Sequence, residues 1–142
     1  MTIREVTLKD AAALSGLLGQ LGYPCSIEIA RKKIEHHRNE GYRMFISENN
    51  GDVTGFISMH WYHAAHLPAP VARITAFCVD ASCQGKGTGS QLLQFTEKFL
   101  KELGCYKVEI TSNKKRKETH AYYLHRQYEQ TSEHFVKFFQ AH

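Results

Sequence analysis

Apolar residues along this chain recur with two periods, and the changes between them mark off its elements. Residues 2–6, Thr-Ile-Arg-Glu-Val, are short and β-branched and predict a first strand. Thr7-Leu8-Lys9-Asp10 resembles a capping box and opens an apolar run over residues 11–21, a helix that Gly22 and Pro24 stop. Ser26 is placed to cap a second helix reaching about His37, with Ile27, Ala30 and Ile34 on one face. Residues 42–48 and 53–62 are strand-like, and Asn49-Asn50-Gly51-Asp52 joins them as a hairpin turn. Pro68 and Pro70 make residues 63–70 a loop, and residues 72–79 alternate as another strand. Leu92, Phe95 or Thr96, Phe99 and Leu103 then repeat at helical spacing, and Gly104 ends that helix just past its last turn. Tyr106, Val108 and Ile110 alternate with Lys107, Glu109 and Thr111, as in a strand. A short helix around residues 119–127 and a last strand near residues 134–139 complete the order β-α-α-β-β-β-α-β-α-β, a mixed α/β domain.

The 142 residues make one ordinary domain, long enough to bury a core without staples. At 42% hydrophobic and 23% charged the composition is globular, which argues against disorder. No stretch approaches the roughly 20 apolar residues that span a bilayer. The start, Met1-Thr2-Ile3-Arg4-Glu5-Val6, lacks the apolar segment of a signal peptide, so a cytoplasmic protein is expected. Cys25, Cys78, Cys83 and Cys105 form no C-x-x-C pair and are expected to be free thiols.

Eighteen basic against fourteen acidic residues leave a net charge of +4. That suits an anionic ligand but does not argue for nucleic acid. Lys114-Lys115-Arg116-Lys117 is one short run without interleaved aromatics and reads as a solvated loop. His60, His63 and His66 lack typical zinc-ligand spacing, so no metal site is expected.

The sharpest feature is Gln84-Gly85-Lys86-Gly87-Thr88-Gly89, between the strand ending at Val79 and the helix beginning near Ser90. Such a turn aims backbone N–H groups, backed by a helix dipole, at one point, where a phosphate or pyrophosphate fits. Glycines let the ligand approach the backbone and supply positive φ. Counted from Gly85, a Walker loop requires glycine at Ser90 and Lys-Ser or Lys-Thr at Gln91-Leu92, and the dinucleotide fingerprint likewise requires glycine at Ser90, so both fail. What remains is Q-x-x-G-x-G from Gln84, Gly87 and Gly89.

Phe77-Cys78-Val79-Asp80 followed by Gln84 through Leu93 resembles motif A of the GNAT superfamily of N-acetyltransferases. Leu21-Gly22-Tyr23-Pro24, Gly55-Phe56-Ile57 and the segment from Arg116 to Tyr128 are similar to segments of one common bacterial subgroup. Residues 111–117 and Tyr128-Glu129-Gln130-Thr131 are similar to aminoalkylphosphonate acetyltransferases. The resemblance implies a mostly antiparallel central sheet flanked by helices, with acetyl-CoA as cosubstrate. It places the coenzyme against Phe77, Cys78, Val79, Gln84, Gly85, Lys86, Gly87, Thr88, Gly89 and Ser90, with Arg116 beside them. Backbone amides around residues 77–79 would polarise the thioester carbonyl and hold the pantetheine arm.

Arg116-x-x-Thr119-His120-Ala121-Tyr122-Tyr123 resembles the family's R-x-x-A-H-x-F-Y segment, which matches Tyr123 to the tyrosine that often protonates the departing thiolate. A phenol is a suitable proton donor. Two residues depart from the pattern: Thr119 replaces the usual alanine and Gln127 the usual glycine, so Gln127 must avoid a left-handed backbone or bear its cost. The reaction implied is direct attack of a primary amine of a small molecule on the thioester, without a catalytic cysteine. A protein or peptide amine acceptor, or a CoA-binding module without turnover, are the alternatives. The family draws its acceptor pocket from the early helices and the loop at 63–70, which makes Tyr23, Tyr42 and Tyr62 candidates by position, with His60 a candidate base near that pocket. Many relatives pair as dimers, and Phe135, Phe138 and Phe139 offer an apolar edge for a homodimer.

Overall fold

The computed structural model describes residues 1–111, 117–130 and 135–140. They fall into two units, Met1–Thr111 and Ser112–His142. The first holds β1 (Thr2–Glu5), α1 (Ala11–Leu21), α2 (Ile27–His36), β2 (Tyr42–Asn49), β3 (Asp52–Tyr62), β4 (Val71–Val79), α3 (Thr88–Glu102) and β5 (Lys107–Ile110). The second holds α4 (Lys117–His125).

The five strands lie in sequence order in one sheet. Every neighbouring pair is antiparallel except β4 and β5, which run parallel because α3 carries the chain back across the sheet. The β2–β3 hairpin closes on Asn50 and Gly51, both left-handed at φ 52° and 86°, the pairing whose twist matches a tight hairpin. Leu14, Leu17, Ala30 and Ile34 of α1 and α2 bury Met44, Ile46 and Phe56 on one face of the sheet. Arg4 ties the start of α1 to that sheet. Its Nη1 and Nη2 each lie 2.9 Å from a carboxylate oxygen of Asp10, and Nη2 also reaches Glu48 at 2.9 Å. Asp10 in turn accepts the Thr7 amide at 2.8 Å. Burial opposes ionisation of Asp10, but the Arg4 guanidinium and the Thr7 amide outweigh it and hold the carboxyl below its ordinary range.

On the other face α3 buries Leu92, Leu93, Thr96 and Leu100. The expected repeat holds at Leu92 and at Thr96, the buried one of the pair Phe95 or Thr96, whereas Phe95 and Leu103 are 40% and 44% exposed and flank the stripe. Phe95 and Phe99 pack edge-on against Phe45, at 4.9 and 5.1 Å between ring centroids. Gly55 permits the close approach of α3. A Cβ there would stand 3.1 Å from Leu92 Cδ1 and 3.0 Å from the Cys78 carbonyl.

Three helices end in the same hydrogen-bonded turn. Past α1 the Gly22 amide donates to Gly19 and Tyr23 to Leu18; past α3 Gly104 donates to Lys101 and Cys105 to Leu100; past α4 Gln127 donates to Leu124 and Tyr128 to Tyr123. The left-handed residue is Gly22 (φ 104°), Gly104 (φ 89°) and Gln127 (φ 70°). Residues 135–140 are not in a strand, contrary to the expected last strand, and the described sheet ends with β5. Phe135, Phe138 and Phe139 are exposed there. Residues 131–134 lie outside the described residues, so the start of the expected strand does too.

Candidate functional site

The glycine-rich turn is fixed at its entry by a contact from α1. Asp80, directly after β4, accepts the Ser82 amide at 3.1 Å and the Ser82 hydroxyl at 3.2 Å. The Ser82 amide, above all, holds the Asp80 carboxyl below its ordinary range. Gln20 accepts the Ala81 amide at 2.9 Å and reaches Asp80 at 3.5 Å. Gln84, Gly85, Lys86 and Gly87 follow, all exposed. Gly85 and Gly87 are left-handed, at φ 79° and 81°, and a Cβ on either would meet nothing within 4 Å. Their requirement is therefore one of backbone conformation, and the surface over the turn is open. The Gln91 amide donates to the Gly87 carbonyl at 3.1 Å. Thr88 and Gly89, ahead of it in α3, have no carbonyl one turn back within the helix, and the positive end of the dipole lies there. Ser90 is half-buried on the same first turn, and Thr88 is buried.

β4 presents an open edge beside this turn. The Asp80 amide donates to the Thr54 carbonyl of β3 at 2.8 Å. Antiparallel alternation then points the Cys78 amide at β3 and the amides of Val79 and Phe77 away from it. Pairing with β5 stops at Ile74 opposite Ile110, so Phe77 and Val79 have no strand partner on that edge among the described residues. The side chains of Phe77 and Val79 turn to the α3 face, where a methyl on Gly89 would meet Val79 Cγ2 at 3.4 Å and Phe77 Cζ at 3.6 Å. Cys78 turns to the opposite face, its thiol 3.6 Å from the Leu17 carbonyl, and packs against α1.

One extra residue, Thr75, interrupts the β3–β4 ladder. Ser58 pairs with Ala76 and Met59 with Ile74, leaving Thr75 bulged, its hydroxyl 2.8 Å from that of Ser58. The bulge breaks the odd–even alternation of β4 and sets Arg73 opposite His60, on the face that α1 and α2 cover farther along. The His60 ring stacks between Tyr42 and Tyr62, at 5.7 and 5.4 Å. His36 and His37, at the end of α2, meet Tyr42 edge-on at 4.5 and 5.8 Å. Burial, and secondly the Arg73 charge, keep His60 below its ordinary pKa. Sequence reasoning thus named Tyr42, Tyr62 and His60, which come together, and Tyr23, which is exposed past α1. It missed Arg73, because only the bulge puts this residue on their face, and Gln20, whose role depends on a tertiary contact.

In the second unit Tyr123 lies on α4 with its ring 5.6 Å from Tyr122 and 5.7 Å from Tyr128. Its carbonyl accepts the Tyr128 amide at 3.0 Å. Arg116 lies outside the described residues, as does most of the basic run. Among the described residues no group of three or more histidine, cysteine or acidic side chains is arranged to hold a metal, and no helix is long and apolar enough to cross a membrane.

Comparison with known proteins bears on the family and the fold. The sequence model of the acetyltransferase (GNAT) family matches residues 15–127. Over 99 residues the chain is 32% identical to an aminoalkylphosphonate N-acetyltransferase of Salmonella typhimurium, a match covering 70% of this chain and 63% of that relative's length. Two solved structures share the fold. A GNAT family acetyltransferase of Staphylococcus aureus superposes with TM-score 0.82 at 22% identity, covering 96% of this chain and 97% of the other. Glucosamine-6-phosphate N-acetyltransferase of Arabidopsis thaliana does so with TM-score 0.83 at 21% identity, covering 98% of each.

Proposed function

This chain belongs to the acetyltransferase (GNAT) family, and we propose that it transfers the acetyl group of acetyl-CoA directly to a primary amine of a small molecule, with residues 1–142 acting as one catalytic domain. The observation that carries the reading is the open glycine turn at the N-terminus of α3 beside the unpaired edge of β4. The pyrophosphate of the coenzyme sits over residues 84–89, where Thr88 and Gly89 contribute amides and Lys86 a charge. The pantetheine arm adds to the β4 edge as a strand would. The amides of Phe77 and Val79 are its donors, and one of them polarises the thioester carbonyl as negative charge develops. Cys78 contributes backbone and packing rather than a nucleophile. Arg116 is assigned to the anionic coenzyme by the family pattern.

The attacking amine must first lose its proton, since its ordinary pKa is near 10.4. It then adds to the carbonyl carbon, and the tetrahedral intermediate collapses with cleavage of the C–S bond, the nitrogen releasing a proton to solvent as the amide forms. Tyr123 gives the departing thiolate its proton. The relative named for an aminoalkylphosphonate supports a small amine as acceptor.

The test is calorimetry with acetyl-CoA and thiol release over a panel of amines. Gly89→Ala should bind acetyl-CoA within a few-fold of the parent, since its methyl meets only ordinary contacts at 3.4 and 3.6 Å. Gly89→Glu, with an anion against the pyrophosphate, should lose binding. Unchanged affinity in a folded Gly89→Glu protein overturns the assignment.

A further inference from the structure

We propose that Arg73, with His60 beside it, forms a site for an oxyanion carried by the acceptor, so that the amine acetylated here is one bearing a phosphonate, phosphate or carboxylate group. The inference rests on the acetyltransferase reading and names the substrate class of that site.

Arg73 is half-buried on β4, and its Nε is buried with no hydrogen-bond partner among the described residues. No described carboxylate lies within 4 Å of its guanidinium. Glu109, its register neighbour on β5, is engaged with Lys107 at 3.6 Å. A guanidinium half out of water without an acid is unusual, because its charge and donors go uncompensated. Its planar fork matches two oxygens of one oxyanion.

The surroundings repeat the preference. Opposite Arg73 stands His60, held between the rings of Tyr42 and Tyr62, with His36 and His37 behind Tyr42. None of these three histidines has a described acidic side chain within 4 Å, and the His37 Nδ1 lies 2.8 Å from the Lys33 carbonyl. Position adds the last argument. Arg73 lies four residues before Phe77 with one of them bulged, about 10 Å along the strand at roughly 3.3 Å per residue. A short acceptor can therefore put its amine at the thioester while its acidic group meets Arg73. The hydroxyl pair Ser58–Thr75 lies between the two points on the same face.

The experiment measures thiol release with 2-aminoethylphosphonate, phosphoethanolamine, β-alanine and propylamine. The parent should favour one or more of the acidic amines over propylamine by at least 10-fold in kcat/KM, and their ranking identifies the oxyanion. Methylphosphonate should compete with the preferred amine and not with acetyl-CoA. Arg73→Gln should raise KM for that amine by about 10- to 100-fold, the loss of charge-assisted hydrogen bonds, change kcat/KM for propylamine far less, and leave acetyl-CoA affinity intact. Arg73→Lys, which keeps the charge and loses the fork, should fall between. Equal loss for acidic and neutral amines in Arg73→Gln, or a parent that prefers propylamine and ignores methylphosphonate, overturns the proposal while leaving the acetyltransferase intact. If no amine is turned over although acetyl-CoA binds, the acetyltransferase reading fails and this inference falls with it.

Discussion

Replacing Gln127 by glycine should stabilise the protein. Gly22, Gly104 and Gln127 hold the same place after α1, α3 and α4, with the same pair of backbone hydrogen bonds around each. Only Gln127 carries a side chain in the left-handed region, at φ 70°. An L-residue there costs about 1–2 kcal/mol relative to glycine. Glycine returns part of that gain, because its unfolded chain has more freedom to lose, on the order of 0.5 kcal/mol or more. A net stabilisation of about 1 kcal/mol remains. For a chain of this length that is a rise of about 3 °C in Tm. The local readout is hydrogen exchange of the Tyr128 amide, bound to the Tyr123 carbonyl at 3.0 Å, which should slow several-fold. The reciprocal change, Gly104→Gln, should cost about as much as Gln127→Gly gains. If Gln127→Gly leaves Tm and Tyr128 exchange unchanged while Gly104→Gln destabilises, the glutamine is not strained and the equivalence of the three turns is wrong.

Gly55→Ala should destabilise by about 1–3 kcal/mol through overpacking. Its methyl would meet a backbone carbonyl at 3.0 Å and two side chains at 3.1 Å. A denaturant titration showing no change would mean α3 can move away freely. Tyr123→Phe should lower kcat by about 100-fold with stability and acetyl-CoA affinity nearly constant, because the ring contact with Tyr128 remains; full activity would mean that another group delivers the proton. Asp10 should make stability depend on acid. Its folded pKa lies below the ordinary carboxylate value, so its contribution is complete above that value and is lost as pH falls through the folded one. Asp10→Asn should cost on the order of 2 kcal/mol at neutral pH, less than a fully buried pair because Arg4 is 33% exposed, and should flatten the acid limb of the stability curve. An unchanged limb would refute the linkage.

What was legible in the sequence was local. The capping sequence at Thr7, the stops at Gly22 and Gly104, the Asn50-Gly51 hairpin and the turn at residues 84–89 each depend on backbone conformation within a few residues, which the residue types specify. On α3 the pattern left Phe95 and Thr96 as alternatives, of which Thr96 is the buried one, and misplaced Leu103, because large apolar residues flank a buried stripe as well as form it. The last strand failed for a different reason: Phe135, Phe138 and Phe139 have strand-like character, but residue type does not specify the cross-strand neighbour on which a strand depends, and residues 135–140 lie outside the described sheet. In the candidate site the open edge of β4 and the Gln20–Asp80 contact arise from how distant segments meet. Arg73 was hidden by parity. Counted along the sequence it shares a face with Phe77, and only a bulge reverses that.

That bulge also bears on how the strand can change in length. Elsewhere in β4, gaining or losing one residue would invert every side chain beyond it, carrying Ile74 out of the core or Arg73 into it. Thr75 alone has no partner across the ladder. Its deletion would leave Ala76 opposite Ser58, Ile74 opposite Met59 and Arg73 opposite His60. Insertions and deletions among descendants of this chain should therefore collect at this one residue. They can alter the spacing between the Phe77 end of the strand and the Arg73 end without rewriting either, so on the proposed function the reach of the acceptor would evolve independently of the turn at residues 84–89.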